Sequence, residues 1–351
     1  MRPDRAGIDS RTWLLWGAAV SVPLITGRHP VLIVELLLIV LAVRTVCLPP
    51  SRRMGWGWLV RLGAIAVPIG VVFNMFTVHA GDRDLFRVPS DVPIIGGTVT
   101  LNAVVYGLLS GLTVVALVAT GTTVAAAIDW SALMRLVPAR AAAIAVAGSV
   151  AWAFLPQLST SWREIREAQA ARGHRWRGVR DALPLIVPLM AGGLDRSVTM
   201  AEALESRGFG AVAPMRQASP WPAVAIGGAL TTAVAGLYLF AVGRSVEAAA
   251  SIVGAGVLSL VGAKGGAASS DTRTTRYRET SWARIDWTVA AGALAALVAT
   301  TVTLQIRPEA LRYEPYPSLD WPVTSTLLVL ALALLMLPAV VAPAGQGEPQ
   351  A

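Results

Sequence analysis

Two stretches of the sequence could bind a charged partner. "EAQAARG" spans residues 167–173 and "EALESRG" spans residues 202–208. Glu167-Ala168 aligns with Glu202-Ala203, and Arg172-Gly173 aligns with Arg207-Gly208, each at an offset of thirty-five residues. The chemistry on offer is docking, not bond making. A guanidinium presents a planar fork of donors to carboxylates or carbonyls. In the last turn of a helix it also sits at the negative end of the helix dipole. A glycine just beyond can take the left-handed conformation that closes a helix. A single Arg-Gly at a helix end needs only that structural explanation. Two matched copies in one polar region argue for one device used twice, with Ala171, Arg172, Gly173, Ser206, Arg207 and Gly208 as its residues.

Other candidates for chemistry are few. His29, His79 and His174 are too far apart in sequence for metal-ligand spacing, and Cys47, the one cysteine, excludes an internal disulfide. The segment "VGAKGG" around Lys264 lacks the spacer and the Gly-Lys-Ser/Thr ending of a phosphate-binding loop, so no ATP site or other cofactor is expected in this chain. No Ser/His/Asp or paired-carboxylate arrangement stands out. Glu35, inside "VLIVELLLIV", is the one acid in the middle of an apolar run. Two readings of it stay open: a functional intramembrane carboxylate, or a side chain that hydrogen-bonds to a neighbouring helix.

The elements that must position these residues are transmembrane. The 351 residues are 55% hydrophobic and 14% charged, with a mean hydropathy of +0.61, whereas a soluble domain carries about a quarter charged residues. A bilayer core of about 30 Å takes roughly 20 helical residues. Apolar runs at about 12–27, 31–48, 58–78, 100–121, 221–242, 246–263, 287–306 and 322–343 predict eight helical spans, an all-α polytopic membrane protein. The net charge of +8 is carried by arginines between apolar runs, as in cytoplasmic loops and unlike a nucleic-acid groove. Arg44, Arg52 and Arg53, then the cluster from Arg163 to Arg216, then Lys264 to Arg284, mark three cytoplasmic connections. Loops 79–98 and 307–321, with mixed charge, face outward. Both termini are then expected inside, with "MRPDRAGIDSR" a cytoplasmic tail and not a cleaved leader. The tryptophans, Trp13 and Trp16 among them, flank apolar runs and read as interfacial anchors.

The run at 141–156 resists this scheme, because a crossing there would turn the arginine-rich region outward. It is expected to lie in or under the cytoplasmic leaflet. Ser161-Trp162-Arg163-Glu164 then fits a capping box opening a helix that ends at Gly173. A second helix is expected to begin near Asp195 or Ser197 and to stop at Gly208.

The motif pair, with "MAEALESRGFG" at 200–210, resembles the transmembrane T component of energy-coupling factor transporters, the CbiQ/EcfT family. The likeness runs in order over about residues 25–215, and "TRYRETSWARIDW" (275–287) resembles the family's lead into its last shared span. It implies a subunit that binds no substrate and whose two coupling helices dock on two cytoplasmic ABC-type ATPases, which bind the ATP. A membrane-embedded S component would bind a vitamin or a transition-metal ion. It also implies a plasma-membrane location and no enzyme activity. Three parts follow: an N-terminal membrane part (1–128), a cytoplasmic coupling region (129–216) and a C-terminal membrane part (217–351), in which 217–265 is an apparent insertion. Two alternatives remain: a membrane enzyme using arginines 163–216 to hold lipid phosphate, and a self-sufficient secondary transporter.

Overall fold

The structure, a computed structural model, describes residues 8–49, 55–89, 97–130, 142–173, 183–206 and 282–341, with isolated positions between 224 and 258. Its elements are α1 (Ser10–Thr26), α2 (Pro30–Cys47), α3 (Trp56–Thr77), β1 (Asp84–Val88), β2 (Gly97–Thr100), α4 (Leu101–Ala127), α5 (Ala142–Ala171), α6 (Leu183–Ser206) and α7 (Arg284–Ile306). A 3-10 turn (Pro308–Ala310) follows, then α8 (Thr326–Ala333), which tightens at Leu334–Met336 and continues as α9 (Leu337–Val341). Six of the expected spans are thus helices. Those at 221–242 and 246–263, and the segment around Lys264, lie outside the described residues, so the count of eight is an expectation. By length and composition α2, α3, α4 and α7 can cross a membrane. The chain is a multi-pass, mostly helical membrane protein. The hairpin of β1 and β2, antiparallel with Asp84 opposite Thr100 and Val88 opposite Gly97, is the departure from all-helix among the described residues.

Local chemistry sets the helix starts. The Asp9 carboxylate accepts the Arg11 N–H at 2.9 Å, Pro30 opens α2, where its missing N–H costs nothing, and Thr100 caps α4 at the Ala103 N–H. Asp286 caps α7 by accepting the Ala283 N–H at 2.8 Å.

The chain divides into two compact units, one of residues 1–129, 239–249 and 278–351, the other of 130–238 and 250–277. In the first, α1 packs on α4 and α7, and α2 packs on α4 and on α8 and α9. Trp16 is fully buried and its indole N–H donates to the Leu335 carbonyl at 2.8 Å, while Trp13 is 4% exposed. Neither is an interfacial anchor, because α7 and the Leu334–Met336 turn pack against α1. Arg44 is also misplaced by the loop reading. It lies in the last turn of α2, 3% exposed, with Nη1 donating to Thr122 Oγ1 at 3.1 Å.

The α3–α4 contact is made at glycines. A Cβ on Gly107 would stand 2.6 Å from Val71 Cα, and one on Gly111 2.7 Å from Val67 Cα. Backbones approach this closely only without side chains, the small-xxx-small geometry of membrane helix pairs.

Each end of this unit is tied by hydrogen bonds distant in sequence. At one, Asp286 Oδ1 accepts the Asp9 N–H at 2.7 Å and Ser10 Oγ accepts the Asp129 N–H at 3.1 Å. At the other, Asn102 Nδ2 donates to Asp82 Oδ1 (2.9 Å) and to the Pro315 carbonyl (2.7 Å), and the Leu319 N–H donates to Asp82 (3.2 Å). The Asn102 amide holds the Asp82 carboxyl below the usual carboxylate range. Asn74, on α3, donates its side-chain amide to the Gly70 carbonyl.

Candidate functional site: the two arginine–glycine helix ends

The second unit contains the motif helices. The first is longer than the capping-box reading allows: α5 runs unbroken from Ala142 through Pro156 to Ala171. The apolar run at 141–156 and the polar "WREIREAQAA" are one helix. Ser161 therefore lies mid-helix, where the backbone amides it would have capped are already bonded. Its hydroxyl is turned to another use and accepts from Arg196 Nη1, on α6, at 2.9 Å. The second helix also starts earlier than expected, at Leu183 rather than near Asp195. Pro184 suits a first turn, where no N–H is needed, and the apolar "LPLIVPLM" continues directly into "DRSVTMAEALES".

At the end of α5 the Arg172 N–H bonds back to the Ala168 and Gln169 carbonyls and the Gly173 N–H to the Ala170 carbonyl at 2.9 Å. Gly173 has φ +85°, the left-handed value at which a Cβ is strained. The helix stops there, with Arg172 and Gly173 exposed to solvent. Ala171 is the last residue of α5 and Ser206 the last of α6, both exposed. Arg207 and Gly208 lie outside the described residues. Glu167 and Glu202 are exposed on their helices.

Two side-chain contacts join α5 and α6 among the described residues. Besides Ser161–Arg196, Gln169 Nε2 approaches the Pro184 carbonyl at 3.4 Å, a long hydrogen bond. Neither was anticipated from sequence. The signal for the first was the offset itself, since Ser161 and Arg196 are separated by the same thirty-five residues as the two motifs. Along α6, Val187 (62%), Met190, Leu194 and Val198 (57%) form an exposed apolar row at helical spacing leading toward Ser206.

Glu35 lies in α2 of the first unit, partly exposed, and its Oε2 is buried with no hydrogen-bond partner among the described residues. Among those residues no three His, Cys, Asp or Glu side chains converge on a metal site.

These features define a multi-pass helical membrane protein with an arginine-bearing helix end exposed to solvent. A comparison with protein families matches residues 7–218, more than half of the chain, to CbiQ, described as cobalt transport protein. The chain belongs to that family, and its role is in transport. None of the curated proteins matches it.

Proposed function

We propose that this chain is the transmembrane coupling subunit of an energy-coupling-factor importer, passing the work of two cytoplasmic ABC-type ATPases to a membrane subunit that binds the substrate. Cobalt or nickel ions, or a vitamin, are the substrate class that goes with this reading. The observation that carries it is the exposed end of α5, where Arg172 precedes a left-handed Gly173, together with a sequence copy of that end thirty-five residues on. Each end would enter a groove of one ATPase, with the arginine meeting acidic or carbonyl acceptors and the glycine letting the chain turn away. On this reading both termini and the 129–216 region face the cytoplasm, and Arg207 and Gly208 act as Arg172 and Gly173 do.

Purification of the tagged chain from its native membrane tests the proposal. Two ATPases and one small hydrophobic subunit are expected in fixed ratio, with substrate uptake into vesicles dependent on ATP. Uptake by the chain alone, driven by an ion gradient, would point to a secondary transporter and overturn it.

A further inference from the structure

The first unit has a cleft of about 440 Å³ at the end where Asn102 joins the two loops. Its walls are the last turn of α1 with Gly27 and Arg28, Val78 after α3, Tyr106 on α4, and residues 312–314 and 316. The volume falls in the range of small-molecule sites. Gly27 keeps it in shape, since the Leu311 carbonyl presses on its Cα where a Cβ would stand.

Hydrogen-bond donors dominate the lining. Arg28 Nη1 donates to the Tyr106 hydroxyl at 2.6 Å and its guanidinium stands 4.7 Å from the centre of that ring, so its position is held from two directions. The Tyr106 hydroxyl accepts this bond and keeps its own proton to give. The Tyr316 ring lies 5.7 Å from that of Tyr106, and its hydroxyl is buried with no partner among the described residues. Arg312 is exposed, and its side chain makes no hydrogen bond or ion pair among those residues. Glu314 is the one carboxylate in the lining, against two guanidinium groups.

An arginine at a span end often does no more than reach for the membrane surface. That accounts for Arg28. It leaves unexplained a buried tyrosine hydroxyl without an acceptor and a second arginine on the same cleft. An anionic group rich in acceptors satisfies all of them, and the cleft's position narrows the source. Ile25, 65% exposed, and Thr26 belong to the last turn of α1, so the wall continues onto the exposed apolar side of that helix. The ligand therefore carries an anionic head and an apolar body.

We propose that this cleft holds the phosphate headgroup of an anionic phospholipid, with Arg28 and Arg312 on the phosphate, Tyr316 donating to one of its oxygens, and the acyl chains lying along α1. Glu314 is placed to accept from a headgroup hydroxyl, which favours phosphatidylglycerol over a choline lipid.

The test uses the full chain with the subunits it purifies with, in nanodiscs of equal parts phosphatidylglycerol and phosphatidylcholine, with retained lipid counted by native mass spectrometry. Wild-type protein is expected to keep phosphatidylglycerol over phosphatidylcholine by about tenfold, the scale of one charge-assisted contact. Arg28→Gln and Arg312→Gln should each reduce that ratio, and the pair should remove it. Tyr316→Phe, which keeps the ring, should reduce it while the thermal midpoint and elution profile stay at wild type, so a folding defect is separable from lost binding. Equal retention of the two lipids by wild type, or an unchanged ratio in the double variant, overturns the proposal. Saturable binding of inorganic phosphate that depends on both arginines, with no lipid preference, also overturns it and points to a soluble anion.

Discussion

Arg196 Nη1 donates to Ser161 Oγ at 2.9 Å, and the residues it joins are separated by the same thirty-five positions that separate Arg172 from Arg207. The bond thus links matched positions of the two copies, eleven residues before each arginine. Its partners are a 9%-exposed serine and an exposed arginine, so its contribution to stability is small, about 0.5–1.5 kcal/mol. On the coupling reading its value lies in geometry, because it ties the shafts of two helices whose ends must meet two partners at once. Arg196→Ala should leave ATPase pull-down near wild type while lowering the uptake achieved per ATP hydrolysed, and Arg196→Lys should restore part of it. A proportional fall in both hydrolysis and uptake would show that the bond only supports the fold.

The two helix ends themselves give the strongest expectation. Arg172→Ala and Arg207→Ala should each weaken ATPase binding, by about 2–5 kcal/mol if the contact is a partly desolvated charge pair. The remaining grip holds its partner at high effective concentration, so single variants should understate the loss. The double variant should fail in pull-down and uptake with membrane abundance unchanged. Lysine should rescue in part, lacking the planar fork. Wild-type uptake by the double variant would remove the coupling role from these residues.

Gly107 and Gly111 decide whether α3 stays on the bundle. Half of the residues of α3 are exposed, with Leu59 and Asn74 its buried residues, and the helix packs mainly on α4, so the close approach at the glycines holds it to the bundle. Gly111→Val should cost about 1–3 kcal/mol or more by forcing the backbones apart, and should lower the thermal midpoint in detergent. Gly57→Ala is the control, since nothing stands within 4 Å of a Cβ there. Equal midpoints for the two variants would mean that the helices do not approach as closely as described.

His29, just before α2, should make stability depend on pH. It is 1% exposed, neither ring nitrogen makes a hydrogen bond, and its ring meets Tyr313 edge-on. Burial pushes its pKa below the ordinary imidazole value. The folded state then resists the proton that the unfolded state accepts. Stability is full above the unfolded pKa of about 6.5, and falls as the pH drops from there toward the lowered folded value. The thermal midpoint should decline over that window in wild type and more weakly in His29→Gln. The Asp82 pKa is lowered as well, but in a carboxylate this favours the charged form, so its contribution is present above the unfolded value of about 3.9 and is lost as the pH falls below it.

How much was legible follows from where each signal resides. The apolar runs read correctly as helices at 12–27, 31–48 and 58–78, to within two residues, because the bilayer leaves a backbone few other ways to satisfy its polar groups. The left-handed end at Gly173 was also readable, since glycine after a helical run is a local signal. The starts of α5 and α6 were not. Ser161 and Asp195 look like caps, but a cap forms only where amides are free, and here Pro156 and Pro188 are carried inside longer helices. The "GLLSG" spacing at 107–111 was present to be read, and only its contact with Gly70 and Val71 shows what it does.

By itself, then, the sequence determined what depends on neighbours along the chain: membrane helices, a charge-rich central region, and a repeated Glu-Ala…Arg-Gly pattern. The tertiary structure decided which side chains leave the lipid. Apolar periodicity cannot separate a protein-facing from a lipid-facing surface, since both are hydrocarbon. Trp16 became core through the Leu335 carbonyl, 319 residues away, and Arg44 through Thr122, 78 away. The cleft at Arg28, Tyr106 and Tyr316 likewise exists only where α1, α4 and the loop after α7 converge. Contacts at those separations leave no local trace, and so only the folded chain records them.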